Sequence, residues 1–162
     1  MKVGWTTAGK IAAWASRHGS EAVRLVDEAI AVREMIYALF SASAAGHAIA
    51  DRDVDLLSRL LASAPHRTTL TISKRGHMWR LPPAAPTAAS LLAPVLWSAG
   101  DLLVGGRLQR VRLCANEKCR WLFVDDSKSG TKRWCSMSSC GNRAKAHRHY
   151  MRKTSSPAGV AS

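Results

Sequence analysis

The chain has 162 residues, 47% of them apolar, with 24 Lys and Arg against 11 Asp and Glu and a formal net charge of +13. That length fits one domain plus a small module, or two small units, and the apolar share can support a core. The charge is uneven: residues 1–106 hold 11 basic and 8 acidic side chains (+3), while residues 107–153 hold 13 and 3 (+10), too steep an asymmetry for a merely soluble basic surface.

The front of the chain reads as helical. Thr6 or Thr7 caps a helix from about Ala8 to Arg17 that places Ile11, Trp14 and Ala15 on one face. His18-Gly19 ends it, and Ser20 starts a longer helix in which Val23, Val26, Ile30, Val32, Met35, Ile36, Leu39 and Phe40 recur mostly at three and four residues, until Gly46 breaks it. Asp51 or Asp53 caps a third helix bearing Val54, Leu56, Leu57, Leu60 and Leu61, closed by Pro65. Thr69 to Ile72 alternates with period two and His77 to Leu81 follows across Lys74-Arg75-Gly76, which predicts a β-hairpin over about 68–81. Pro82, Pro83 and Pro86 form a stiff connector. Thr87 opens an apolar helix from Ala88 to about Val104, terminated by Gly105-Gly106. With Pro94 near its middle and Asp101 near its end, that run is too short and too interrupted for a membrane span. The opening MKVGWTTAGKIAAW lacks the pattern of a secretory leader. A cytoplasmic location follows as the expectation, with no membrane partner.

All four cysteines fall in the last third, as Cys114-x4-Cys119 and Cys135-x4-Cys140. Two disulfides are one reading, suited to an oxidising compartment. Four thiolates on one structural zinc ion are the preferred reading, because thiols stay reduced in the cytoplasm and a metal can hold a segment too small for an apolar core. Iron–sulfur clusters usually use closer spacings such as Cys-x2-Cys. Val111-Arg112-Leu113 and Trp121 to Val124 read as short strands around the first pair, and Asp125 to Gly130 as a turn-rich segment. Thr131 to Trp134 returns to the metal as a strand. Ser138 or Ser139 caps a basic helix from about Cys140 to Lys153, whose first amides face the thiolates, with Gly141 allowing close backbone approach. His147 and His149 are left on the solvated side, since four matched thiols make a histidine ligand unnecessary.

On that helix Lys145, Arg148 and Arg152 form one stripe and Arg143, His147 and Tyr150 an adjacent one, while Ala144 and Met151 pack back on the module. Arg143 and Lys145 are placed to reach base edges or phosphates, and Lys132 and Arg133 to reach phosphates. Four thiolates on one zinc ion carry −2, which leaves about +8 on the module, a field that attracts phosphate backbones. Trp121 and Trp134 are expected in the small core around the metal. The fold class is thus α+β, mainly helical: a helical domain with a hairpin over 1–106, a zinc-held strand and helix module over 107–153, and a disordered tail over 154–162.

The string Cys140-Gly141-Asn142-Arg143, with Cys114-Ala115-Asn116-Glu117-Lys118-Cys119, Phe123-Val124-Asp125, Arg133-Trp134-Cys135-Ser136-Met137 and Lys145 around it, resembles the CGNR zinc finger. That finger sits at the C-terminus of bacterial, largely actinobacterial, proteins described as stress-induced transcription regulators. The resemblance implies zinc on Cys114, Cys119, Cys135 and Cys140, and DNA binding. Beside a ligand, Asn142 would tie the helix start to the knuckle, and Arg143 would face a partner or brace the module. Residues 5–104 look like the helical ABATE domain that usually precedes this finger, through the order of elements and stretches such as Ala31-Val32-Arg33-Glu34 and Leu91 to Leu103. Members of that family generally start earlier, with a strand carrying an Asn-Thr pair that precedes the point where Met1 stands.

The functional expectation is a DNA-binding transcriptional regulator, with duplex DNA as partner and a homodimer as an assembly the apolar helices can supply. RNA binding, with Trp121, Phe123, Trp134 and Tyr150 stacking on bases, and a purely protein-binding zinc module are the alternatives. No Gly-rich phosphate loop, His-Glu-x-x-His zinc helix or nucleophile motif is present, so an enzyme is not expected.

Overall fold

The computed structural model describes residues 8–74, 76–80 and 87–154. The expected cap at Thr6 or Thr7, the Leu81 end of the hairpin, the Pro82, Pro83 and Pro86 connector and the tail beyond Thr154 lie outside them. Contacts divide the described residues into two compact units, one made of 8–39 with 49–106 and the other of 40–48 with 107–154. The α+β, mainly helical class read from the sequence is the class adopted, with two small antiparallel hairpin sheets.

The first unit begins with α1 (Ala8–Arg17), whose C-terminal end is closed by His18. The His18 ring stacks on Trp14 at 5.0 Å between centroids, and its Nδ1 donates to the Trp14 carbonyl at 2.9 Å. Helix α2 (Gly19–Ala44) follows directly. Its apolar residues make two ridges rather than one stripe. Val32, Met35 and Leu39 are buried, whereas Val23, Val26 and Ile30 are 63%, 57% and 43% exposed. Each member of one ridge lies nine residues from its counterpart, which at about 100° per residue is half a turn around the helix. One face enters the core and the opposite face stays in solvent.

Helix α3 (Asp51–Ser63) starts at Ala50, which makes no side-chain cap hydrogen bond. The expected caps Asp51 and Asp53 sit instead inside the first turn, where a carboxylate favours the positive end of the helix dipole. Helix α3 packs on α4 (Ala88–Val104). Gly100 of α4 makes room there: a methyl group in its place would stand 3.3 Å from Leu61 Cδ1. Thr87 caps α4 through a capping box, accepting from the Ser90 amide at 3.2 Å while Ser90 Oγ accepts from the Thr87 amide at 3.0 Å. Leu57, Ala93, Leu96 and Trp97 are buried. Among the described residues no helix is long and apolar enough to cross a membrane.

Strands β1 (Thr69–Ser73) and β2 (Gly76–Arg80) form the hairpin, in the register Leu70 opposite Trp79. Gly76, at φ 101°, takes the left-handed backbone that closes the turn. Arg67 pairs bidentately with Asp101 of α4 at 2.5 and 2.6 Å and lies 5.7 Å over the Trp79 ring, joining hairpin to helix.

In the second unit a 3₁₀ turn (Leu108–Arg110) leads into β3 (Val111–Leu113), which pairs with β4 (Leu122–Val124). A π-helical turn (Met137–Gly141) then opens α5 (Asn142–Thr154).

Candidate metal centre

The loop between β3 and β4 is the first knuckle. Its ends are pinned by the Cys114 amide donating to the Trp121 carbonyl at 2.9 Å. Asn116 organises the interior: its carbonyl accepts from the Cys119 and Arg120 amides at 2.8 and 3.0 Å, and its Oδ1 from the Lys118 amide at 3.1 Å. Arg120 takes a left-handed backbone, φ 47°, to turn the chain back into β4.

The second knuckle is built differently. Residues 131–134 were expected as a strand but run without ladder pairing, held by the Ala115 amide on the Arg133 carbonyl at 2.9 Å. The chain then enters the π turn, in which the Gly141 amide reaches five residues back to the Ser136 carbonyl at 3.0 Å. Ser138 and Ser139, the expected helix caps, lie inside this turn; its N-cap is Ser136, without a side-chain cap bond. A methyl on Gly141 would meet Met137 Sδ at 2.6 Å and Trp134 Cδ1 at 3.3 Å, so the close approach at this glycine is to side chains of its own knuckle.

The two knuckles bring Cys114, Cys119, Cys135 and Cys140 together with all four Sγ atoms within 4.8 Å of one another. Cys119 to Cys135 is 3.8 Å and Cys135 to Cys140 is 3.9 Å. A disulfide needs about 2.0 Å, and all four cysteines are free. Tetrahedral zinc with bonds of about 2.3 Å sets sulfur–sulfur edges of about 3.8 Å, so the donor set fits a zinc ion in both chemistry and spacing. Cys114 and Cys140 are buried and the other two half-buried. Burial first, then the neighbouring thiols, push Cys135 up to about 12. The Asn116 amide, 3.5 Å from Cys140 Sγ, is the main cause that brings Cys140 down to about 7. His147 and His149 do not join the sulfur cluster.

Two residues that frame the centre belong to the strings that carry the family resemblance, but nothing in the sequence assigns either of them a role. Asn116 ties the first knuckle to a sulfur of the second. Asp125, 1% exposed, accepts from Ser127 Oγ at 2.6 Å, the Ser127 amide at 2.9 Å and the Lys132 amide at 2.9 Å. The Ser127 hydroxyl bond is the largest cause that holds its carboxyl below the usual range. Asp125 thereby anchors the return segment, through Lys132, to the end of β4. Asn142 is exposed, and its amide reaches back to the Ser138 carbonyl at 3.4 Å, inside the second knuckle.

The cationic side chains expected to face a partner, Lys132, Arg133, Arg143, Lys145, Arg148 and Arg152, are all exposed. Lys132 Nζ lies 5.3 Å over the Phe123 ring and the Arg133 guanidinium 5.5 Å over Trp134. Arg133, Arg143 and Arg148 line one cleft beside the sulfur cluster, together with Lys118. Lys132, Lys145 and Arg152 do not line it. Two packing expectations are overturned. Met151 is exposed, because α5 stands on its first turn and buries none of its residues. Trp121 is 70% exposed, since the short β3–β4 ladder offers nothing to cover it; only Trp134 is half-buried beside the knuckle.

Four thiols converging at the root of a basic helix define a small zinc-finger module. Residues 110–153 match the CGNR zinc finger. Residues 5–106 match the ABATE family, described as "Putative stress-induced transcription regulator". The chain belongs to the ABATE family and carries a CGNR zinc finger behind that domain. No curated protein matches the chain.

Proposed function

We propose that the protein is a cytoplasmic DNA-binding transcription regulator in which one structural zinc ion, held by Cys114, Cys119, Cys135 and Cys140, fixes a cationic module against duplex DNA. The family description supports a role in transcription. The observation that carries the reading is the concentration of exposed cations on a module whose three acids are outnumbered by 13 bases over residues 107–153. Zinc supplies folding energy at such a centre. Four protein thiolates leave no coordination position for water or substrate, which supports a non-enzymatic role.

A single finger buries little surface on DNA. We extend the reading to a homodimer through the exposed Val23, Val26 and Ile30 ridge of α2, which borders an apolar groove of about 450 Å³ shared with Leu92 and Val95 of α4. The exposed Trp121 and Tyr150 favour a second reading, stacking on single-stranded bases. Fluorescence anisotropy with a labelled duplex, competed by unlabelled single-stranded RNA, separates the two. Binding through about four phosphates predicts roughly a hundredfold loss of affinity between 50 and 200 mM salt. A salt-independent response, or no duplex binding at low salt, contradicts the proposal; preferential displacement by RNA transfers it to the second reading.

A further inference from the structure

The cations of the second unit are not spread evenly over its surface. A cleft of about 500 Å³ opens between the first knuckle and α5. Its walls carry Lys118 from the first knuckle, Arg133 from the return segment, and Arg143 and Arg148 from α5, with Trp134 between them and Glu117 as the one carboxylate. The walls are tied to each other rather than hinged: Asn116 bonds Cys140 Sγ across the cleft floor at 3.5 Å, and Ala115 bonds the Arg133 carbonyl at 2.9 Å.

Four cations around one concavity repel one another, and a fold that only needed solubility would set acids among them. Here one of the module's three acids, Glu117, faces the cleft, and the other two are engaged elsewhere. Arg107 pairs with Asp126 and Arg67 with Asp101. Asp125 is committed to Ser127 and the Lys132 amide. Among the described residues, none of Lys118, Arg133, Arg143 and Arg148 pairs with a carboxylate. Arg133 is oriented by the Trp134 ring at 5.5 Å, a contact that positions its guanidinium without neutralising it.

A concave, fourfold cationic, partly apolar cleft suits a ridge of spaced anions. The phosphodiester backbone is such a ridge, and arginine forks match its non-bridging oxygens while lysine acts as a point charge. Base edges lie in a groove floor and are reached by side chains that project outward, not by a cavity. We infer that this cleft seats one strand of the duplex backbone, with Lys118, Arg133, Arg143 and Arg148 as its phosphate contacts. Lys145 and Arg152 lie outside the seat. The inference rests on the DNA-binding reading and adds two features to it: a contact residue on the first knuckle, and a brake on affinity in Glu117. Contacts of this kind fix the position of the protein on the duplex without reading sequence.

The test uses the full zinc-loaded chain and one labelled duplex, with metal content checked for every variant. K118Q/R143Q and K145Q/R152Q remove the same formal charge, so the general field changes equally. The cleft pair is expected to weaken binding at least about tenfold and to make the salt slope shallower by about 1.8, two phosphates' worth, while the outer pair costs less than about threefold. E117Q is expected to tighten binding by about two- to threefold. Equal losses for the two pairs, a larger loss for the outer pair, or weaker binding by E117Q would overturn the cleft assignment while leaving DNA binding intact. Failure of the unaltered chain to bind duplex at low salt would remove the DNA-binding reading itself, and the seat with it.

Discussion

Removing the metal should dissolve one unit and spare the other. Among the described residues of the second unit the buried apolar side chains, apart from the cysteines, are Phe40 and Val111. At about 1.5–3 kcal/mol each, they contribute roughly 3–6 kcal/mol. Backbone ordering opposes folding by about 1–2 kcal/mol for every residue fixed, and the two three-residue strands and a solvent-exposed 13-residue helix add little that survives alone, since isolated helices of about that length are marginal in water. Structural zinc contributes about 10–16 kcal/mol in comparable small modules, more than both side chains together. The first unit is not in this position, because Leu39, Leu57, Ala93, Leu96 and Trp97 are buried without any metal. Hydrogen exchange read by mass spectrometry on the full chain, with reductant and with or without a strong chelator, separates the two. Amides of 111–124 and 137–154 should lose protection on chelation while those of α3 and α4 keep it. Unchanged protection over 111–124, with the metal demonstrably removed, would refute the reasoning.

Asn116→Ala removes the amide that bonds Cys140 Sγ and should weaken zinc binding by about tenfold in a chelator competition, the usual scale for a group that orients a ligand. Zinc must displace the thiol protons, so affinity should fall as pH falls. Cys135, pushed up to about 12, gives up a proton throughout the working range, whereas Cys140, at about 7, is largely deprotonated above that point and must release one only below it. Calorimetry in buffers of different ionisation enthalpy should therefore count about one more proton per ion at pH 6 than at pH 8. Thr87→Ala breaks the capping box of α4 and should cost the first unit about 1 kcal/mol in denaturant unfolding, with zinc content unchanged. Val26→Glu places a carboxylate on the exposed α2 ridge and should convert a sedimenting dimer to monomer; a wild-type chain that is monomeric at high concentration contradicts the dimer.

What the sequence disclosed follows from how local its signals were. Thr87 and Gly105 bound α4 because capping chemistry is written within a few residues of each end. The four cysteines were legible because nothing but a common ion or paired bonds explains two matched pairs. Helix α2 was legible as a helix but not in its burial: ridges at 23, 26, 30 and 32, 35, 39 look alike in the sequence, and only tertiary packing decides which one is covered. The caps at Asp51, Ser138 and Ser139 failed for a shared reason. Such residues favour both the cap and the turn beside it, and the chain placed Ala50 and Ser136 at the boundary instead. The π turn and the roles of Asn116 and Asp125 depend on partners up to 24 residues away, which no local pattern encodes.

The central claim is that four thiolates close on a single zinc ion. X-ray absorption at the zinc edge on the full chain, with the metal counted by native mass spectrometry, tests it most directly. One zinc per chain with four sulfur neighbours at about 2.3 Å is the result expected. A nitrogen or oxygen neighbour in the shell, or a folded reduced chain that carries no zinc, would contradict it.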